Sequence, residues 1–278
     1  MSDILDIIDA HCHVFPDPIA EKSRGAVGAF YELPMYTSGT LHNLKQERDR
    51  VLEFSGRKFR VARQLICSPA VTGHQTASIN AFLSELIRQD PALTAFGTLH
   101  PENADYAEIL RNFRSQGLVG LKLHSDFQRF PIDDPAMYPV YREAANLGLP
   151  VLFHMGDRKL DFSHPRRLRK VLDDIPELTA IAAHMGGYSH WKEALELLEP
   201  SDRLYFDISS TLQFVDGALV QKFLHRFGET QFFFGSDFPM WDPAKELERL
   251  LSFGFPDEVL QKLLIGNFEQ FLAEHCGT

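Results

Sequence analysis

Two histidines one residue apart, His11 and His13, close the first apolar run of the chain, in the stretch IDAHCHVF. Neutral imidazole nitrogens are ligands for zinc and similar divalent ions. Four more apolar runs end on a polar side chain in the same way: Lys122 in LVGLKLH, His154 in LPVLFHM, His184 in LTAIAAHM and Asp237 in TQFFFGSD. Any one of these, taken singly, reads as a hydrogen-bonded residue at the rim of a core. That reading does not explain why five separate apolar runs end on His, Lys or Asp. His11, His13, His154 and Asp237 could surround one ion and leave a position open for water or substrate. Such an ion lowers the pKa of bound water toward about 7 and polarises a carbonyl oxygen, and Asp237 could take the proton from that water.

Short apolar runs alternate with amphipathic segments along the chain, and eight of them read as strands: 4–11, 60–68, 93–100, 118–124, 149–155, 178–185, 203–210 and 230–237. Between them lie helical patterns, among them LHNLKQERDRVLEF, TASINAFLSELIRQD and AKELERLLSFG, several opening at Asp, Ser or Pro and closing at Gly. Eight strands, each followed by a helix, have the size and order of an α/β (β/α)8 barrel, in which active sites form at the C-terminal ends of the strands. An open doubly wound sheet would want a Gly-rich phosphate loop, and neither G-x-G-x-x-G nor G-x-x-x-x-G-K occurs. A single domain over 1–278 is expected, with a lid-like loop at about 16–40 and two extra helices in the tail PDEVLQKLLIGNFEQFLAEH.

Strand periodicity puts His11 and His13 on one face, with Asp9 below them and Cys12 on the other side. Lys122 and His124 share a face with Gly120, while Val119, Leu121 and Leu123 form the opposite apolar face. The polar set therefore points into the barrel.

The net charge of −10 and the absence of any basic run disfavour a nucleic-acid partner, so a small-molecule substrate is expected. Three scattered cysteines without C-x-x-C spacing argue against a disulfide framework or a cysteine zinc site, and suit a reducing cytoplasm. Neither a leader nor a membrane span is encoded. A homodimer is the base-rate expectation.

From DAHCHVF through GLVGLKLHSDFQRFPIDDP, GLPVLFHMGD, IAAHMGG, LYFDISS and FFFGSDFP to LIGNFEQFL, the chain resembles the amidohydrolase superfamily of metal-dependent (β/α)8 enzymes. It is most similar to the amidohydrolase-related branch, which includes hydrolases and decarboxylases akin to aminocarboxymuconate-semialdehyde decarboxylase. The resemblance implies a divalent ion, Zn²⁺ by preference, held by His11, His13, His154 and Asp237, with His184 acting on the substrate. Lys122 stands where some members carry a carbamylated lysine bridging two metals, and there His154 and His184 hold the second ion. The single-ion arrangement is preferred, with Lys122 a cation aimed at a substrate carboxylate or oxyanion. The expected reaction is hydrolysis of a C–N or C–O acyl bond in a small carboxylate-bearing or cyclic compound, and the alternative is nonoxidative decarboxylation of an aromatic or unsaturated acid.

Secondary candidates are His124 at the pocket mouth, Asp9 and Asp207 as carboxylates that orient ligand histidines, Arg129 as a carboxylate clamp, and Trp241, with Phe15, Tyr188 and Trp191, as pocket lining. His42, His74, His164, His190, His225 and His275 read as surface residues, and His100 as the start of the next helix.

Overall fold

A computed structural model describes residues 4–277. Nine strands are present: β1 Ile4–His13, β2 Leu52–Phe54, β3 Arg57–Cys67, β4 Leu93–Thr98, β5 Leu118–Leu123, β6 Val151–Phe153, β7 Ala180–Ala182, β8 Leu204–Asp207 and β9 Phe232–Phe233. All but β2 pair in parallel, in the order β1-β3-β4-β5-β6-β7-β8-β9. Beyond β9 the chain closes onto β1, with Ala10 N donating to Phe234 O at 2.9 Å and His13 N to Phe238 O at 2.5 Å. The fold is a (β/α)8 barrel, and each of the eight expected strands lies in it.

The expected helix over 41–54 stops at Asp49, because Leu52–Phe54 turns back on β3 as a hairpin. Its two-residue loop, Ser55 (φ 50°) and Gly56 (φ 76°), has the two positive φ values of a type I′ turn. The lid-like segment is less loop than expected: Asp17–Tyr31 is a helix of fifteen residues. The tail forms one continuous helical run over 257–276, with π-helical turns at Lys262–Gly266 and Leu272–Cys276, where two helices were expected.

Two apolar layers hold the barrel. Helices and outward strand faces make the larger one, in which Cys12, Leu121 and Leu123 lie as expected. The smaller fills the barrel interior with Ile8, Leu65, Phe96, Leu152, Ile181, Tyr205 and Phe233, and the tail helix seals it with Phe268 and Phe271. Each fully buried Phe contributes about 1.5–3 kcal/mol. Gly120 makes room for the Phe96 ring, which would lie 2.6 Å from any Cβ there. Val119 joins this interior layer, against the expected outward face, because a register irregularity between β4 and β5 interrupts the alternation. With one end of the barrel filled by these apolar side chains, the open end is where polar side chains converge.

Candidate metal centre and substrate pocket

Strand ends deliver His11, His13, Lys122, His154, His184 and Asp237 to one space, and His11, Lys122 and His184 are 0%, 0% and 1% exposed. His11 Nδ1 donates to Asp207 Oδ2 at 3.0 Å, which leaves Nε2 as a lone pair facing Lys122 Nζ at 3.1 Å and Asp237 Oδ1 at 3.8 Å. His13 Nδ1 donates to Cys67 O at 3.2 Å, so its free Nε2 faces Asp237 Oδ1 at 3.2 Å. His154 Nε2 donates to Gly156 O at 3.0 Å and His184 Nδ1 to Ser209 O at 3.2 Å. The lone pairs left on those two rings, His154 Nδ1 and His184 Nε2, meet at 3.0 Å.

All four rings are thus fixed on one nitrogen by an acceptor, the tautomer-setting arrangement of metal-ligating histidines. Two ring nitrogens at 3.0 Å, and a ring nitrogen against a carboxylate at 3.2 Å, require a proton or a metal ion between them. The donor set fits a divalent ion on its chemistry: imidazole nitrogen and one carboxylate, buried, with Asp207 behind His11.

The same carboxylates favour protons on His11 and His13, which a metal ion would have to displace. Burial and the Lys122 ammonium press His11 toward its neutral form, yet the Asp207 carboxylate outweighs both and holds it at about 10. Asp207 itself, disfavoured by burial, is held down at about 2 by His11. Asp237 is held well below the carboxylate range despite burial, by His13, His184 and His11. Its other oxygen accepts from Ser210 Oγ at 2.6 Å, and Ser210 accepts from Trp241 Nε1 at 2.8 Å, which ties Trp241 into the site. On the other side, burial pushes His184 down to about 4, and pushes His154 and His124 well below the usual imidazole value.

His124 belongs to the cluster, its ring stacked on His154 with centroids 3.7 Å apart. Asp9 turns out to be a seam carboxylate. It accepts from Ser236 N at 2.8 Å and Oγ at 2.5 Å, and from the backbone N of His11 at 3.3 Å, so it holds the His11 backbone and not the ring. Arg129 is exposed on a left-handed residue after the Ser125–Gln128 turn, and no contact joins it to the cluster, so the structure withdraws it as a carboxylate clamp. Tyr188 lines the pocket, Phe15 packs by Gly39, and Trp191 Nε1 donates to His184 O at 2.9 Å. Of the histidines expected at the surface, His42, His74 and His225 are exposed. His164 instead caps a helix through Arg166 N, His190 bonds Asp157 O at 3.0 Å, and His275 bonds Tyr205 Oη at 3.0 Å. His100 opens a turn through Glu102 N, and the next helix starts only at Tyr106.

Sequence reasoning missed four residues of the site. Tyr31 reaches it from the insertion helix, its Oη 3.0 Å from His124 Nε2 and 3.3 Å from His154 Nε2. Asp126 lies 3.8 Å from His154 Nε2 with Oδ1 buried and unpartnered, and burial raises it to about 7. Cys67 Sγ is 3.8 Å from His13 Nδ1, and despite burial the His13 charge draws the thiol down to about 5. Ser209 links Asp207, His11 and His184. Cys67 ends an apolar strand run as the ligand candidates do, a signal that cysteine spacing alone passes over.

Gly156 fixes the two loops that carry His154 and His184. At φ 79° a Cβ there would stand 2.3 Å from Tyr188 O, so only glycine lets the β6 and β7 loops meet. A cavity of about 360 Å³ lies at the opposite end between Asp202, Arg203, Tyr205 and His275, away from this cluster.

The amidohydrolase family model matches residues 8–272, and the chain belongs to that metal-dependent enzyme family. No curated protein matches the sequence. Among solved structures it is similar to an uncharacterized TIM-barrel protein from Bordetella bronchiseptica, at 18% identity and a TM-score of 0.75 over 99% of this chain and 100% of that one. A candidate 2-pyrone-4,6-dicarboxylic acid hydrolase from Pseudomonas putida aligns at 16% identity and a TM-score of 0.70, over 97% and 98% of the two chains. The 5-carboxyvanillate decarboxylase of Sphingomonas paucimobilis aligns at 14% and 0.67, over 97% and 99%. Among the described residues no helix is long and apolar enough to cross a membrane.

Proposed function

We propose that the chain hydrolyses a C–N or C–O acyl bond of a small cyclic or carboxylate-bearing compound, using one divalent ion, Zn²⁺, held by His11, His13, His154 and Asp237. The observation that carries this reading is the approach of His13 Nε2 and His11 Nε2 to Asp237 Oδ1, at 3.2 and 3.8 Å, with a His184 ring nitrogen gathered beside His11 and the same carboxylate. A divalent ion in that position supplies polarisation of the acyl oxygen and a water acidic enough to attack it near neutral pH.

The protein's own groups do the rest. Asp237, kept ionised and held by Ser210, is placed to accept the proton of the attacking water. His184, neutral at physiological pH, can hold that proton for the departing group. Lys122 lies in the interior as a fully buried ammonium 3.1 Å from His11 Nε2, placed to stabilise a substrate carboxylate or oxyanion. A cation there also disfavours a second metal, which supports the single-ion count. Three unpaired cysteines support action in the cytoplasm.

The test is metal content followed by removal. One equivalent of zinc per chain, and hydrolysis of lactones, esters or amides that stops on chelation and returns with zinc, is the expected result. Two equivalents, with the second lost in Lys122→Ala, would overturn the single-ion version. A second reading, decarboxylation, draws on the buried Lys122 ammonium as a seat for a carboxylate and on the similarity to 5-carboxyvanillate decarboxylase. Release of CO₂ without water incorporation into product would favour it.

A further inference from the structure

The insertion between β1 and β2 is a cover with a pinned base and a loosely packed span. Its ends are tied by Phe15 N donating to Gly39 O at 2.8 Å and Tyr36 N to Pro239 O at 3.0 Å. Gly39, at φ 76°, packs so closely that a Cβ would stand 2.6 Å from Pro239. Between these ties the helix Asp17–Tyr31 buries only Ala20, lacks a side-chain N-cap, and at Gly25 has no atom within 4 Å of the Cβ position. Its far end is held over the site by Phe30 against Phe127 (4.8 Å), an exposed Glu32–Lys159 ion pair (2.7 Å), and Tyr31. The ion pair adds little, being open to solvent.

The partners of Tyr31 show what it replaces. His124 Nδ1 accepts from Phe127 N at 3.4 Å, so the ring proton sits on Nε2. His154 Nε2 also carries its proton, shared with Gly156 O. Both N–H groups face the Tyr31 oxygen, at 3.0 and 3.3 Å, a cradle for an acceptor oxygen. With Tyr31 in place the free space bounded by Leu33, His184, Tyr188 and Trp241 is about 10 Å³. That holds one water at most, and no acyl substrate.

We propose that the Tyr31 hydroxyl stands in for a carboxylate or carbonyl oxygen of the substrate, in a subsite formed by His124 and His154, and that helix 17–31 is a lid that lifts about its pinned base to admit the substrate. The choice of an acid-derived oxygen rests on the hydrolase reading; the subsite and the lid are measurable without turnover.

Benzoate serves as the planar carboxylate probe, and quenching of the chain's two tryptophans, of which Trp241 lines the same space, reports its binding. Tyr31→Ala vacates the subsite and should bind benzoate about tenfold more tightly than the wild type, since closure no longer competes. Glu32→Cys/Lys159→Cys, joined by a short bis-thiosulfonate cross-linker, should bind it at least about tenfold more weakly and recover on reduction. Equal affinities in wild type and Tyr31→Ala, a cross-link without effect, or no saturable quenching in any form would each overturn the proposal. The cross-linking arm keeps the test intact if Tyr31→Ala fails to fold. Lid-dependent binding in a protein that hydrolyses nothing would leave the lid standing and remove the hydrolase reading; chelator-sensitive hydrolysis with lid-independent binding would do the reverse.

Discussion

The site has two halves built from nearly the same residue types, and they are in opposite electrostatic states. His11 and His13 favour the charged form, His124, His154 and His184 the neutral one. Burial does not separate them, since it pushes all five toward neutrality. The facing carboxylate does. Asp207 and Asp237 are ionised and within 3.0 and 3.2 Å of a ligand ring. Asp126, which faces His154, is 3.8 Å away and is itself raised to about 7 by burial. One half therefore favours positive charge, carried by ring protons or by an ion that replaces them, and the other is a row of neutral imidazoles suited to hold substrate oxygens and pass protons.

The sharpest way to break this division is to neutralise one carboxylate in each half. Asp237→Asn should lower kcat/KM by about 10²–10⁴-fold and strip most of the metal, as loss of a base and ligand together predicts, whereas Asp126→Asn should leave metal content unchanged. Equal metal loss in elemental analysis of the two variants would dissolve the distinction. Asp207→Asn, which frees the His11 ring, should weaken metal binding by about 10–100-fold in a chelator competition while turnover per bound metal stays closer to wild type.

Acid and base should act on different halves of the metal-free protein. The folded pKa of His11, about 10, lies above the ordinary imidazole value of 6.5, so its contribution to stability is present below pH 6.5 and is lost as pH rises through 10. His184 has a folded pKa of about 4, so the folded state binds fewer protons between pH 6.5 and 4 and stability falls as pH drops through that window. Chemical denaturation of His11→Gln should lose the alkaline limb, and His184→Gln part of the acid limb; unchanged curves would contradict both assignments. The smallest effect expected is from Trp241→Phe, which removes one hydrogen bond to Ser210. A loss of about 1 kcal/mol in denaturant unfolding, with metal content intact, would place Trp241 in support of Asp237 only.

The half with ionised carboxylates was legible in the sequence because a side chain at a parallel strand end follows an apolar run, as His11, His13 and Asp237 do. Asp207 was legible for the same reason. The other half was less so. Tyr31 lies at the end of a helix in an insertion whose Pro, Gly and aromatic content reads as loop, and nothing local tells that the helix crosses the barrel mouth. Asp126 follows His124 by two residues in a short turn, where an acid reads as a cap. Arg129 failed for a converse reason: its position after β5 is near the site in sequence, but a left-handed backbone turns it to solvent. Val119 shows the limit of period-two reasoning, since one register irregularity sends it to the other layer.

Barrel closure has a kinetic consequence. Asp9 and Ser236, 227 residues apart, meet at the seam where the first and last strand segments join, and His11, His13 and Asp237 lie on its two sides. Such distant contacts form late, after the loop-closure entropy of almost the whole chain has been met. An ion bound to His11, His13 and Asp237 would work as a latch across that seam, fastened only once the ring is shut. Its removal should then hasten unzipping far more than it slows assembly, so that the same contact that equips the enzyme also sets how long each molecule stays folded.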